Sequence, residues 1–93
     1  MTMRTCIAEQ RKEKRESAAG EVWLAPEDAG SPEFVGHLLD CSKSGFRASH
    51  THAGLSTGQR VRFRDATRQG HALVMWNRIL PDYLESGFLI LDN

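Results

Sequence analysis

The residues best equipped for chemistry in this chain fall in two short stretches. The first is Asp40-Cys41-Ser42-Lys43-Ser44-Gly45, which follows the apolar run Phe34-Val35-Gly36-His37-Leu38-Leu39 and precedes another starting at Phe46. Here an extended segment ends on an acid, a turn carries two hydroxyls, and a glycine lets the chain leave. Asp40 and Ser42 flank one residue, so both polar tips can point to the same side. A carboxylate acceptor beside a hydroxyl can read the N–H donors of a guanine edge. The same six residues also suit a self-capping Asx-turn, in which Asp40 bonds its own backbone. Gly45 is expected to supply a positive φ at the exit of the turn.

The second stretch is Arg11-Lys12-Glu13-Lys14-Arg15, two arginines four apart in a polar segment. The planar guanidinium fork suits phosphate oxygens and the O6/N7 edge of guanine, and it also stacks on bases. Taken alone, the stretch reads as a solvated basic arm in preference to a ligand contact.

The order of the two stretches is informative. The arginine pair comes first, strand-like sequence follows, and the acid–hydroxyl–glycine turn comes after it. Together, R-x-x-x-R and D-x-S-x-x-G resemble the signature of the PilZ domain family, over about Gln10 to Leu91. The resemblance implies a receptor for the cyclic dinucleotide cyclic di-GMP. In it, an arm bearing Arg11 and Arg15 wraps the ligand and engages guanine and phosphate. Asp40, Ser42 and Gly45 form the strand-turn half that holds a guanine from the barrel side. The resemblance also implies output by contact with another protein, in motility or biofilm control. Two departures stand out. Gln10 sits where a further arginine is frequent, which leaves one or two ligands open. The run Glu16-Ser17-Ala18-Ala19-Gly20 replaces an earlier β-branched strand start, so the pocket wall there is expected to be shallow. Arg47 and Arg78 are candidates for extra phosphate contacts, and exposed strand positions explain them as well.

Length and composition bound these readings. Ninety-three residues with 40% hydrophobic and 26% charged side chains make one small globular domain. The formal net charge is zero, which argues against a general DNA or RNA binder. It leaves room for a small anionic ligand met by a local cluster, and Arg4, Arg11, Lys12, Lys14 and Arg15 supply one near the start. Cys6 and Cys41 show no C-x-x-C spacing and read as free thiols in a reducing compartment, with a disulfide between them as the alternative. No apolar run approaches a membrane span, and the start lacks a signal-peptide core. A cytoplasmic protein is expected, with no membrane insertion.

The chain resolves into a mobile tail over 1–9 and a single domain over 10–93, with 10–16 as a flexible ligand-wrapping arm. Strands are predicted at Glu21–Ala25, Phe34–Asp40, Phe46–Ser49, Arg60–Arg64, His71–Leu80 and Gly87–Leu91. Arg60-Val61-Arg62-Phe63-Arg64 alternates strictly, the plainest half-buried strand of the set. Six short strands without a strong helix predict an all-β fold, a small antiparallel split barrel of PilZ-like type. The family pattern commonly continues into a packed helix; the chain ends at Asn93, so no C-terminal helix is expected. Both faces of Ala72–Trp76 and Phe88–Leu91 are apolar. Leu73, Leu89 or Leu91 is therefore expected to meet a second subunit, as a homodimer, or the folded-back arm.

Other candidates read blandly. His50 and His52 alternate but lack a third ligand at a recognisable spacing, so they are surface histidines rather than a metal site. Trp23 and Trp76 lie in apolar strands and read as core, Trp76 matching an aromatic often seen in the family's penultimate strand. Ser42 and Ser44 lack the Gly-x-Ser-x-Gly elbow. No catalytic residue, metal or cofactor is predicted, and the chain reads as non-enzymatic. Two rivals stand beside the receptor. One is a PilZ-like protein–protein adaptor with weak or no nucleotide binding. The other is an OB- or SH3-like barrel for single-stranded nucleic acid, which the zero charge and the absence of exposed alternate aromatics disfavour.

Overall fold

The computed structural model of the chain describes residues 16–28 and 31–91. Its strands are β1 (Glu16–Ser17), β2 (Glu21–Pro26), β3 (Phe34–Cys41), β4 (Gly45–His50), β5 (Arg60–Arg64), β6 (Gln69–Ile79) and β7 (Leu84–Leu91), with no helix among the described residues. Neighbours run β3-β2-β5-β6-β7-β4, and a β3–β4 pairing closes the ring. This is the six-stranded antiparallel barrel that the turn spacing predicted, and closure leaves the ring without the open edges of a flat sheet. The two-residue β1 is an addition. It pairs on β3, with Glu16 opposite Cys41 and Ser17 opposite Asp40. The stretch expected to stay loose through residue 16 is thus held at its last residue.

Inward positions follow the alternation of the sequence. On β5, Val61 and Phe63 are buried while Arg60, Arg62 and Arg64 face out. Phe46 is fully buried and stacks on Phe88 at a centroid distance of 4.8 Å, with Phe63 tilted against it at 5.1 Å. Burying each such ring contributes about 2–3 kcal/mol, so this trio holds β4, β5 and β7 together.

Two β-bulges break the alternation, and both matter for the outer surface. In β3, Leu38 lies opposite Ala48 but Asp40 lies opposite Arg47, so Leu39 is an extra residue. In β6, Val74 lies opposite Phe88 but Trp76 lies opposite Gly87, so Met75 is extra. Without the bulges, strict period two would turn Asp40 and Trp76 to the same inward side as Leu38 and Val74. Each extra residue re-aims its successor outward. Trp76 is accordingly 40% exposed, not the core residue its apolar neighbours suggested. Trp23 is half-buried on the outer side, with the Arg64 guanidinium 4.6 Å above its ring.

Two further expectations are corrected. His50 is buried, not a surface residue, because its ring is tied into the polar interior. Its Nδ1 accepts from the His52 backbone N–H at 3.1 Å, and Nε2 lies 2.7 Å from Ser86 Oγ. Cys41 is disulfide-bonded rather than a free thiol, with its partner outside the described residues.

Candidate functional site

The two bulges and one glycine build a row across the outside of the barrel. Asp40 on β3 lies opposite Arg47 on β4, Arg47 opposite Gly87 on β7, and Gly87 opposite Trp76 on β6. The row floors a cleft of about 420 Å³, lined also by Ser42, Ser44, Gly45, Phe46, Met75, Phe88 and Leu89. That volume lies within the range of small-ligand pockets. Asp40, Ser42 and Gly45, singled out from the sequence, therefore share one cavity. Arg11 and Arg15 lie outside the described residues.

The turn itself is braced by main-chain bonds. Ser42 N–H donates to the Gly45 carbonyl at 2.9 Å, and Ile90 N–H donates to the Ser44 carbonyl at 2.7 Å. Gly45 is not among the residues with positive φ, contrary to expectation. Its need is for space: a Cβ there would stand 2.5 Å from the Phe88 carbonyl oxygen. The glycine is required by close approach of β7, not by the handedness of the turn.

Asp40 is already engaged. Its Oδ2 accepts from Arg47 Nη2 at 2.9 Å, while Arg47 Nη1 lies 4.0 Å from Glu85 Oε1 and Arg78 Nη2 lies 3.6 Å from the same oxygen. Charges thus alternate along the outer face. Arg47 reaches the cleft, whereas Arg78 is drawn to Glu85 and is not part of the lining. Asp40 and Arg47 are the charged residues of the lining, and they cancel. The wall opposite is apolar and aromatic, formed by Met75, Trp76 and Leu89, all exposed. Leu89, expected to meet another subunit, belongs to this wall, while Leu73 and Leu91 are half-buried.

A neutral cavity with an indole, two hydroxyls and an ion-paired carboxylate suits a flat heteroaromatic ring with edge donors. Sequence reading missed Trp76, Met75 and Ser44. Ser44 lies inside the quoted hexapeptide and was legible there; the other two depend on the bulge.

Gly87 seats the indole. A Cβ at Gly87 would collide with Trp76 Nε1, so the ring packs directly on the β7 backbone. Gly87→Ala is expected to displace it, at about 1–2 kcal/mol in stability. In a Trp23→Phe background, Trp76 emission should shift to the red and gain access to iodide. An unchanged spectrum would show that the ring does not use that seat.

No family model matches the chain, and no curated protein matches it. Among solved structures it is similar to that of the Bacillus subtilis inhibitor of motility (MotI/DgrA), at 18% identity and a TM-score of 0.66. The match covers 90% of this chain and 44% of that one, so the chain spans under half the length of the protein it resembles. At this identity the likeness carries the fold, which is the PilZ-like barrel that the two motifs implied.

Proposed function

We propose that this chain is a non-enzymatic receptor for cyclic di-GMP that reports ligand occupancy through contact with another protein. The observation that carries the reading is the row Asp40–Arg47–Gly87–Trp76 beside the Ser42–Gly45 turn. It offers a purine an edge acceptor, hydroxyls and an aromatic face in one cleft. The cleft's own charges sum to zero, so a ligand with two phosphates needs cations from elsewhere. Arg15 is bonded to Glu16, which pairs opposite Cys41. Glu16, the first described residue after the arginine pair, lies beside the strand end that carries Asp40 and Cys41, which supports this reading. Arg11 and Arg15 closing over the cleft would neutralise the phosphates, and Arg47 stands at the rim to join them. A ligand held by the closed form shifts the population toward closure by its differential affinity.

The protein with a similar fold is described as an inhibitor of motility, and control of motility is the output we favour. Met75 and Leu89 leave apolar surface beside the cleft, where a protein partner or a second copy could sense whether the arm is closed. The adaptor reading keeps one specific support: the Asp40 carboxylate already holds Arg47 at 2.9 Å, so a guanine must share or displace that bond.

Calorimetric titration with cyclic di-GMP tests the proposal on the intact chain, Arg15→Ala and Asp40→Ala. Saturable binding is expected, weakened tenfold or more by either change, as loss of a guanine contact of about 1–3 kcal/mol requires. Absence of heat with the intact chain favours the adaptor. Equal binding of unrelated oligonucleotides would overturn both readings.

A further inference from the structure

The β5–β6 hairpin, remote in sequence from both motifs, sends one side chain beneath the Ser42–Gly45 turn. Arg68 Nη1 donates to the Ser42 carbonyl at 2.9 Å. The arginine is set in place by its own turn. Asp65 Oδ1 accepts from the backbone N–H of Thr67 at 2.9 Å and of Arg68 at 2.7 Å, and Asp65 Oδ2 lies 3.8 Å from Arg68 Nε. A structural contact of convenience does not account for what this arrangement costs. Arg68 Nε and Nη2 have no hydrogen-bond acceptor, and Asp65 Oδ2 has no hydrogen-bond donor, although Nε and Oδ2 face each other at 3.8 Å. Burial lowers the Arg68 pKa from its ordinary value, and Asp65 acts in the opposite direction. Arg68 is half-buried and faces Asp65, so the guanidinium is held against the turn at some desolvation cost.

We propose that Arg68 is a positioning residue for the ligand-binding turn, gripping the Ser42 carbonyl and thereby fixing the Ser42–Lys43 peptide plane. The inference rests on the receptor reading for its ligand consequence, though not for the conformational one. In a trans peptide the N–H points opposite to the C=O, and the described bonds are all trans. With the Ser42 carbonyl held toward the hairpin, the Lys43 N–H is presented away from it, as a donor for an incoming acceptor. Ser42 and Gly45 are also held in register, because the same residue that gives its carbonyl to Arg68 gives its N–H to Gly45. A charge-assisted bond outlasts the neutral bonds of such a turn. Arg68 is the one charged group in the described structure that reaches the Ser42 carbonyl.

The test compares the full chain with Arg68→Met, which keeps the apolar stem and drops the donor, and Arg68→Lys, which keeps the charge. Amide exchange by NMR reads the turn directly. In Arg68→Met the Ser42 and Ile90 amides are expected to exchange at least tenfold faster, while Val74 in the core stays within twofold. Arg68→Lys should recover part of that protection. In the wild type, an Arg68 Nη–H resonance protected from exchange and in contact with Ser42 or Lys43 by NOE is expected. This readout serves even if Arg68→Met fails to fold. A wild-type guanidinium in free exchange, or unchanged Ser42 and Ile90 amides in Arg68→Met, overturns the inference. Cyclic di-GMP affinity should fall about tenfold in Arg68→Met. A loosened turn with unchanged affinity overturns the ligand half of the inference. A wild type that binds no cyclic di-GMP overturns the receptor reading, and the exchange data still decide the role of Arg68.

Discussion

Replacing Gly45 by alanine is expected to destabilise the barrel by about 3 kcal/mol, the upper end for forcing atoms into a packed site. For a domain of this size that lowers the melting temperature by about 10–20 °C. The added methyl would stand 2.5 Å from the Phe88 carbonyl oxygen. The obstacle is backbone, which cannot rotate aside as a side chain does. Gly45 lies opposite Leu89 in the β4–β7 ladder, and Ile90 N–H bonds to the neighbouring Ser44 carbonyl. Relief therefore requires β7 to move away from the turn and stretch that bond. Phe88 would be carried with it, loosening the Phe46–Phe88 stack at the centre of the core. Thermal melting measures the effect, and a shift under 3 °C would mean that β7 is not held against the turn. Because φ at Gly45 is not positive, an amino acid with a Cβ is excluded by space alone.

The contrast between legible and hidden features runs along the same strands. The closed barrel was readable because β5 alternates without interruption and turn residues separate every pair of apolar runs. Asp40, Ser42 and Gly45 were readable as a unit because their spacing within one turn keeps them together whatever the strands do. The aromatic wall was not. Period-two counting places Trp76 with Ala72 and Val74, and only the extra residue Met75 turns it outward. A bulge has no composition of its own, so sequence offers no sign of which strand slips. Arg68 was hidden for another reason. Its partner is a carbonyl 26 positions away, and a main-chain acceptor leaves no trace in residue types. His50 was misjudged because its partner across the barrel is Ser86, a small polar residue that carries no sign of the pairing in the sequence.

That buried polar group gives the second large expected effect. Ser86 is fully buried, and Ser86→Ala should destabilise the protein by about 1–3 kcal/mol, because buried His50 loses its acceptor and the more exposed Asn77 loses a donor. The connectivity fixes each proton. His50 Nδ1 accepts from His52 N–H, so Nε2 carries the hydrogen and donates to Ser86 Oγ at 2.7 Å. Ser86 Oγ in turn donates to Asn77 Oδ1 at 2.5 Å, and Asn77 Nδ2 donates to the Leu55 carbonyl at 3.1 Å. The serine proton thus points away from the imidazole, which makes the pair a structural relay rather than a nucleophile and its base. The chain also ties the 50–55 loop to the β6–β7 hairpin. Protonating His50 would break the relay at Nδ1, which has no lone pair left to accept. Burial, and secondarily the neighbouring His52, lower the His50 pKa below its ordinary 6.5. The unfolded chain therefore binds the proton more readily than the folded one. The contribution to stability is complete above about pH 6.5 and is lost as pH falls through the lowered folded value. Denaturant midpoints measured from pH 7.5 downward should decline in that window for the wild type. His50→Gln, though weaker overall, should show a flatter profile there. A wild-type profile as flat as that of His50→Gln would show that the imidazole is not held neutral by this relay.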